Sequence, residues 1–129
     1  MESGFDWNPC KAFGLNLNYT YLDATDDTNH ARLVRRPRHS ISGGVRVQPH
    51  EDVTLSLSAT YVIDREDFVG FGQPDVEDYL NVCLSASWRI CRNAEIFARI
   101  ENLTGDQYAA IPGFPALDTG AYAGVKLRF

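Results

Sequence analysis

The sequence predicts an all-β chain, an antiparallel up-and-down meander of about six strands forming the C-terminal section of a transmembrane β-barrel. Three observations predict it. Apolar and polar residues alternate with a period of two through six separate runs. Short turns and long segments follow one another in strict alternation along the chain. The last run ends on an aromatic residue, Phe129.

The first alternating run covers 13–21, where Phe13, Leu15, Leu17, Tyr19 and Tyr21 share one face and Gly14, Asn16, Asn18 and Thr20 the other. In 39–47, Ile41, Gly43, Val45 and Val47 oppose Ser40, Ser42, Gly44 and Arg46. The run 53–63 sets Val53, Leu55, Leu57, Ala59, Tyr61 and Ile63 against Thr54, Ser56, Ser58, Thr60 and Val62. In 80–90, Leu80, Val82, Leu84, Ala86, Trp88 and Ile90 alternate with Asn81, Cys83, Ser85, Ser87 and Arg89. A shorter run around 95–101 carries Ile96, Ala98 and Ile100, with Glu95, Phe97, Arg99 and Glu101 between them. The last places Ala121, Ala123, Val125, Leu127 and Phe129 on one face and Tyr122, Gly124, Lys126 and Arg128 on the other. Residues 2–7 read as the stub of a preceding strand, and 1–129 as one part of a barrel.

The polar faces carry Ser, Thr, Asn, Gly, Arg and Lys, which suits a surface that meets water. The short connections are Asn8-Pro9-Cys10-Lys11, Gln48-Pro49-His50-Glu51-Asp52 and Cys91-Arg92-Asn93; the long ones, read as loops, are 22–38, 64–78 and 102–119. Soluble domains seldom place a long loop at every second connection, whereas outer-membrane barrels have short periplasmic turns and long extracellular loops. This order puts the C-terminus on the periplasmic side. Tyr19, Tyr21, Tyr61 and Trp88 fall near strand ends, as interfacial aromatic girdles do. Six strands cannot close a membrane barrel, whose minimum is about eight, so further strands are expected from elsewhere.

Composition agrees with one folded domain of 129 residues, 44% hydrophobic and 22% charged. Mean hydropathy is −0.26 and no stretch has the length of a membrane helix, yet alternating barrel strands keep an average of this kind. The net charge of −5 offers no basic face, so a nucleic-acid partner is not expected. Met1-Glu-Ser-Gly-Phe has neither a basic n-region nor an apolar h-region. A signal peptide is therefore absent from this chain, which is expected to be a fragment or truncated reading frame of an exported protein.

Candidate chemistry is sparse. Three cysteines (Cys10, Cys83, Cys91) and three histidines (His30, His39, His50) lack metal-ligand spacing, and a Cys10–Cys91 disulfide is one geometry open to short turns on the same side. Asp23, Asp26, Asp27 and His30 read as a solvated acidic loop or a loop cation site, the former favoured because ligand spacing is missing. Arg35, Arg36 and Arg38 suit either an anionic group such as a lipopolysaccharide phosphate or salt bridges to nearby carboxylates. Pro37 breaks the ladder, so the following strand starts after it. Asn102-Leu103-Thr104 is a glycosylation sequon that reads as a turn motif. No nucleophile–base set or phosphate loop is present in the sequence, so no catalytic, cofactor or metal site is expected.

Five stretches together resemble the C-terminal region of TonB-dependent outer-membrane receptors. Tyr19-Thr-Tyr-Leu-Asp-Ala24, with Tyr19 and Tyr21, is similar to the family's strand end before a long loop. Leu33-Val-Arg-Arg-Pro-Arg-His39, with Arg35, Arg36 and Pro37, is similar to its Arg-rich lead into the next strand. Ile100-Glu-Asn-Leu-Thr-Gly-Asp-Gln-Tyr108 looks like the segment in which Asn-Leu-Phe precedes a Tyr, matching at Asn102, Leu103 and Tyr108. Gly113-Phe-Pro-Ala116, with Gly113 and Pro115, resembles an aromatic-proline turn of the last outer loop. The fifth is the terminal alternation ending at Phe129. Departures are Thr104-Gly105, where the family has Phe followed by Asp or Asn, and Leu117-Asp118-Thr119 in place of Gly-Arg.

The resemblance implies a bacterial outer-membrane location and a parent receptor that takes up siderophore or cobalamin-type ligands with TonB-coupled energy. The vitamin B12 receptor branch looks nearest. It implies as partners outer-membrane lipid and lipopolysaccharide, the remaining barrel strands and plug, and the barrel-assembly machinery. That machinery would read Ala121, Ala123, Val125, Leu127 and Phe129, an exposed last strand being open to capture by strand addition. Two rival readings stay open: a soluble antiparallel β-sandwich or small barrel acting as a binding module, and a remnant whose strands aggregate through open edges.

Overall fold

The computed structural model describes the backbone of residues 1–27, 32–33, 36–69, 73–106, 109–111, 114–115 and 118–129. Side chains are described over 1–27, 32–33, 36–65, 78–106 and 118–129. Seven strands form one antiparallel sheet in meander order: β1 (Glu2–Cys10), β2 (Phe13–Tyr21), β3 (His39–His50), β4 (Val53–Val69), β5 (Gln73–Cys91), β6 (Ala94–Glu101) and β9 (Gly120–Leu127). Between β6 and β9, β7 (Ala109–Ile111) and β8 (Phe114–Pro115) make a small separate pair.

The register explains why period two survives across the sheet. Trp7, Leu15, Val45, Leu57, Leu84, Ile100 and Ala121 are successive cross-strand partners, one from each of the seven strands. The adjacent row on the other face runs Gly14, Arg46, Ser56, Ser85, Arg99 and Tyr122. One face is therefore apolar and the other polar along every strand. Among the described residues Val62 is the only buried hydrophobic side chain, and none is fully buried. Phe5, Trp7, Leu17, Leu57, Trp88, Ile96, Val125 and Leu127 stand exposed on the apolar face. Burial of a Leu, Ile or Phe side chain is worth about 1.5–3 kcal/mol, so a face of this kind belongs against a non-aqueous medium or a second layer. No second layer covers it among the described residues, which removes the support for the β-sandwich reading.

The short connections are tighter than the sequence suggested. Strands run to within two residues of one another at Lys11-Ala12, Glu51-Asp52 and Arg92-Asn93. Each hairpin carries a register shift, at Trp7/Cys10, Val47/His50 and Arg89/Cys91. Pro9 and Pro49 sit within two of these irregularities, where a missing N–H costs the ladder least. The carbonyl of each turn's second residue accepts a hydrogen bond from the strand beyond: Gln48 N to Ala12 O at 2.7 Å, Arg89 N to Asp52 O at 2.8 Å and Arg128 N to Asn93 O at 2.9 Å. This repeated stagger ties each turn to its neighbour.

Three sequence expectations are corrected. Residues 2–7 belong to a full strand, β1, and not a stub, because Glu2 to Trp7 pair continuously with Thr20 to Leu15. The segment 64–78 is largely a hairpin extension and not a loop, since Arg65 to Val69 pair with Glu77 to Gln73. Its acidic sequence does not alternate, so the ladder left no period-two trace. Cys10 and Cys91 end β1 and β5, four strand spacings apart, or roughly 19 Å at about 4.8 Å each. A disulfide spans less than about 7 Å between Cα atoms, and all three cysteines are free.

Candidate functional site at the long-loop rim

The rim opposite the short turns is organised around Asp64. Between Val62 and Arg65 the ladder shifts: Val62 faces Tyr79 and Arg65 faces Glu77, leaving Ile63 and Asp64 opposite Asp78 alone. Asp64 occupies the left-handed region with φ 57°, which Asp tolerates better than most residues. Its N–H donates to Asp78 Oδ1 at 2.7 Å. Without the extra residue, Arg65 would follow Tyr61 and Ile63 onto the apolar face. The bulge instead turns it to the side of Val62, where its guanidinium lies 5.6 Å from the centre of the Tyr79 ring and the residue is only 6% exposed.

Two arginines converge on the Asp64 carboxylate. Arg32 approaches both oxygens, Nη1 to Oδ1 at 3.2 Å and Nη2 to Oδ2 at 3.3 Å, a bidentate arrangement. Arg38 Nη1 lies 3.5 Å from Oδ2, while its Nη2 reaches Asp23 at 3.9 Å. The backbone follows the same path, Arg38 N donating to Asp64 O at 3.3 Å and Leu22 N to Arg38 O at 2.9 Å. The hydrogen bond from Arg32 holds the Asp64 carboxyl below the usual carboxylate range, helped by the charges of Arg32, Arg38 and His39 and opposed by partial burial. Of the two readings of the arginine group, the salt bridge describes Arg38. Arg36 is exposed, and Arg35 lies outside the described residues, as does His30 of the acidic loop.

Beside this knot, on the apolar face, the Tyr19 hydroxyl hydrogen-bonds His39 Nδ1 at 2.8 Å, and the Tyr21 ring lies 5.2 Å from the imidazole. Pro37 precedes β3, which begins at His39.

A second knot closes the end of β6. Asn102 is 6% exposed with φ 50°, and its amide donates to Asp106 O at 3.0 Å. Its carbonyl accepts from Thr119 Oγ1 at 2.7 Å. Thr104 Oγ1 donates to Leu80 O at 2.8 Å, Leu80 N donates to Asp106 Oδ2 at 2.9 Å, and Leu103 N reaches Val82 O at 2.8 Å. The loop thus continues to satisfy the β5 ladder after β6 has ended. Gly105, with φ 66°, supplies the left-handed turn where the receptor pattern has Asp or Asn. Leu103 is exposed; Tyr108 and Gly113 lie outside the described residues, and of Pro115 only the backbone, in β8, is described.

In the last strand, Ala121, Ala123, Val125 and Leu127 pair with Ile100, Ala98, Ile96 and Ala94 on the apolar face, and Phe129 is exposed beyond the strand. What packs on the polar face leaves no mark in the pattern of residues. Phe97 lies over Gly124, where an added Cβ would sit 2.7 Å from its Cζ, and Arg99 covers the Tyr122 ring at 5.1 Å. Among the described residues His50, Glu51 and Asp52 bring three ligating groups together at a short turn, but Asp52 is already paired with Arg89 at 3.1 Å.

A single-layer antiparallel meander, apolar on one face and polar on the other, with tight turns at one end and long segments at the other, is the wall of an outer-membrane type of β-barrel. The chain belongs to the TonB-dependent receptor-like β-barrel family, whose model matches residues 1–103. That is a family of transporters, not enzymes, of the bacterial outer membrane. The fold is similar to a crystal structure, in closed form, of the ferric-catecholate import receptor Fiu from E. coli K12. The two share a TM-score of 0.82 and 19% sequence identity, over 99% of this chain and 20% of that one. At that identity the likeness is one of fold alone, and the chain spans about a fifth of the receptor's length. No curated protein matches the sequence.

Proposed function

We propose that the chain forms the C-terminal section of the lipid-facing wall of a receptor that takes up siderophore or cobalamin-type ligands with TonB-coupled energy. The observation that carries this reading is the apolar row running unbroken through the seven strands of the sheet, with no second layer packed on it among the described residues. Membership of the family supports the transport role, and the ferric-catecholate receptor, similar in fold, favours iron-siderophore chemistry over cobalamin. The segments 22–38, 64–78 and 102–119 then help admit ligand, with the Asp64 and Asn102 knots holding their bases in fixed positions.

In this reading the polar face meets a plug, the edges β1 and β9 meet the remaining barrel strands, and the apolar face meets outer-membrane lipid. Arg36 is free to meet a lipopolysaccharide phosphate. Ala121, Ala123, Val125, Leu127 and Phe129 form the strand that the barrel-assembly machinery recognises. Circular dichroism of the purified chain with and without detergent tests the wall assignment. Strand signal that needs detergent or bilayer is expected; a soluble, monomeric, cooperatively melting protein in plain buffer overturns it.

A further inference from the structure

The apolar face is not flat. At the centre of β3, Gly43 lacks a side chain and its partner on β4 is Ala59. The rows on either side are bulky: Ile41, Tyr61 and Leu80 towards the long-loop rim, Val45 and Leu57 towards the short turns. The result is a groove of about 280 Å³ with an almost wholly apolar lining, bounded on β2 by Leu17. A Cβ at Gly43 would approach the Asn16 carbonyl oxygen to 3.1 Å, so the β2 backbone would have to give by a few tenths of an ångström to admit one.

Resting on the membrane-wall reading, we infer that this groove is a binding site for one hydrocarbon chain of a membrane lipid. Depth selects that occupant. Gly43 lies four residues from either end of the alternating run 39–47, or about 10 Å from each rim for a strand tilted by roughly 40° and rising about 3.3 Å per residue. Headgroups and lipopolysaccharide phosphates stay at the rims, so only acyl chain is available at that level. The groove has no charged lining residue, and a polar occupant there would lose its hydrogen bonds to water. A chain seated in it gains contact on its floor and both sides, where a chain elsewhere on the wall gains contact on one side only.

The test uses the full chain reconstituted in phosphatidylcholine vesicles containing a phospholipid spin-labelled halfway along one acyl chain. Electron spin resonance counts the motionally restricted chains per protein. Ala59→Leu fills the groove and is expected to lower that count by about one, with Ala59→Val giving a smaller loss. Ala86→Leu, on the same face but outside the groove, is expected to leave it unchanged. Equal counts for the wild-type chain and both Ala59 variants, in protein that floats with the vesicles, overturn the site. So does concentration-dependent cross-linking of two copies through the groove, which assigns it to a second copy. Failure of the wild-type chain to float at all is a different result, and it removes the wall assignment together with this inference.

Discussion

Asn102 shows how one residue fixes the point where the sheet gives way to loop. It leaves β6 in the left-handed region, which Asn tolerates, and its amide and carbonyl bind Asp106 and Thr119 on the two sides of the departing chain. Asn102→Ala keeps the backbone carbonyl that Thr119 binds but removes the side-chain donor to Asp106 O and the Oδ1 beside Thr104 Oγ1 in a nearly buried position, at an expected cost of about 1–3 kcal/mol. Thermal melts in detergent read that loss, and faster proteolysis within 103–119 is expected alongside it. Unchanged melting and cleavage would reduce the Asn-Leu motif to a chance match.

Asp64 makes the complementary case, in electrostatics. It lies beyond the apolar run 53–63, at the water-facing rim. Its carboxyl titrates lower in the folded chain than in the unfolded one, chiefly through the Arg32 hydrogen bond. The ion pairs with Arg32 and Arg38 therefore contribute fully above the ordinary carboxylate pKa, about 3.9, and are lost as pH falls through the depressed folded value. Amide exchange at Leu33 and Arg38 is expected to be slow near pH 6 and to speed up below pH about 4, after correction for the intrinsic rate. Asp64→Asn is expected to show fast exchange across the whole range; a variant that keeps the wild-type pH profile would place the switch elsewhere. The sequence showed Asn102 through its motif, whereas Asp64 stood in an acidic run where nothing distinguished it from its neighbours. A bulge is a property of pairing, and one strand's sequence does not carry it.

At the scale of elements, the strands were legible wherever one face meets an apolar medium and the other meets water, because that asymmetry writes a period of two. Runs 13–21, 39–47 and 80–90 fall inside β2, β3 and β5 for this reason. The extension of β4 and β5 past residue 63 has no such asymmetry, so it read as loop. The β6–β9 pair adds a feature of its own: the end of the Phe97 ring lies over Gly124, and the glycine is what allows the close approach. Gly124→Ala drives a Cβ into that ring. The ring must swing away, and an expected loss of about 1–3 kcal/mol follows from overpacking. Phe97→Ala removes the obstacle, so the double variant is expected to be more stable than the sum of the two single losses predicts. Strict additivity in detergent melts would show that the ring does not set the pairing of the last strand.

For the whole molecule the decisive fact is that the sheet is open. Among the described residues β1 and β9 each have one neighbouring strand, so their outer edges present N–H and C=O groups with no strand beside them. In hydrocarbon each unsatisfied group costs several kcal/mol, far more than any knot or aromatic contact within the sheet restores. Set in a bilayer, as proposed above, the sheet must have both edges paired. The chain alone is therefore expected to satisfy its edges with other copies, appearing in detergent as oligomers held by β1–β9 contacts. Pro substitutions at alternate positions of β9 whose N–H points outward are expected to block that association, while leaving the β6 pairing in place. Covalent extension of the chain at its N-terminal side by further barrel strands is expected to yield a monomer instead, because the added strands reach round to the free edge of β9. Analytical ultracentrifugation in density-matched detergent separates these outcomes. A stable monomer of the unextended chain, with edge amides of β1 and β9 as protected from exchange as those of β3 and β4, would mean that the edges find partners within the chain and that the sheet closes by a route other than strand addition.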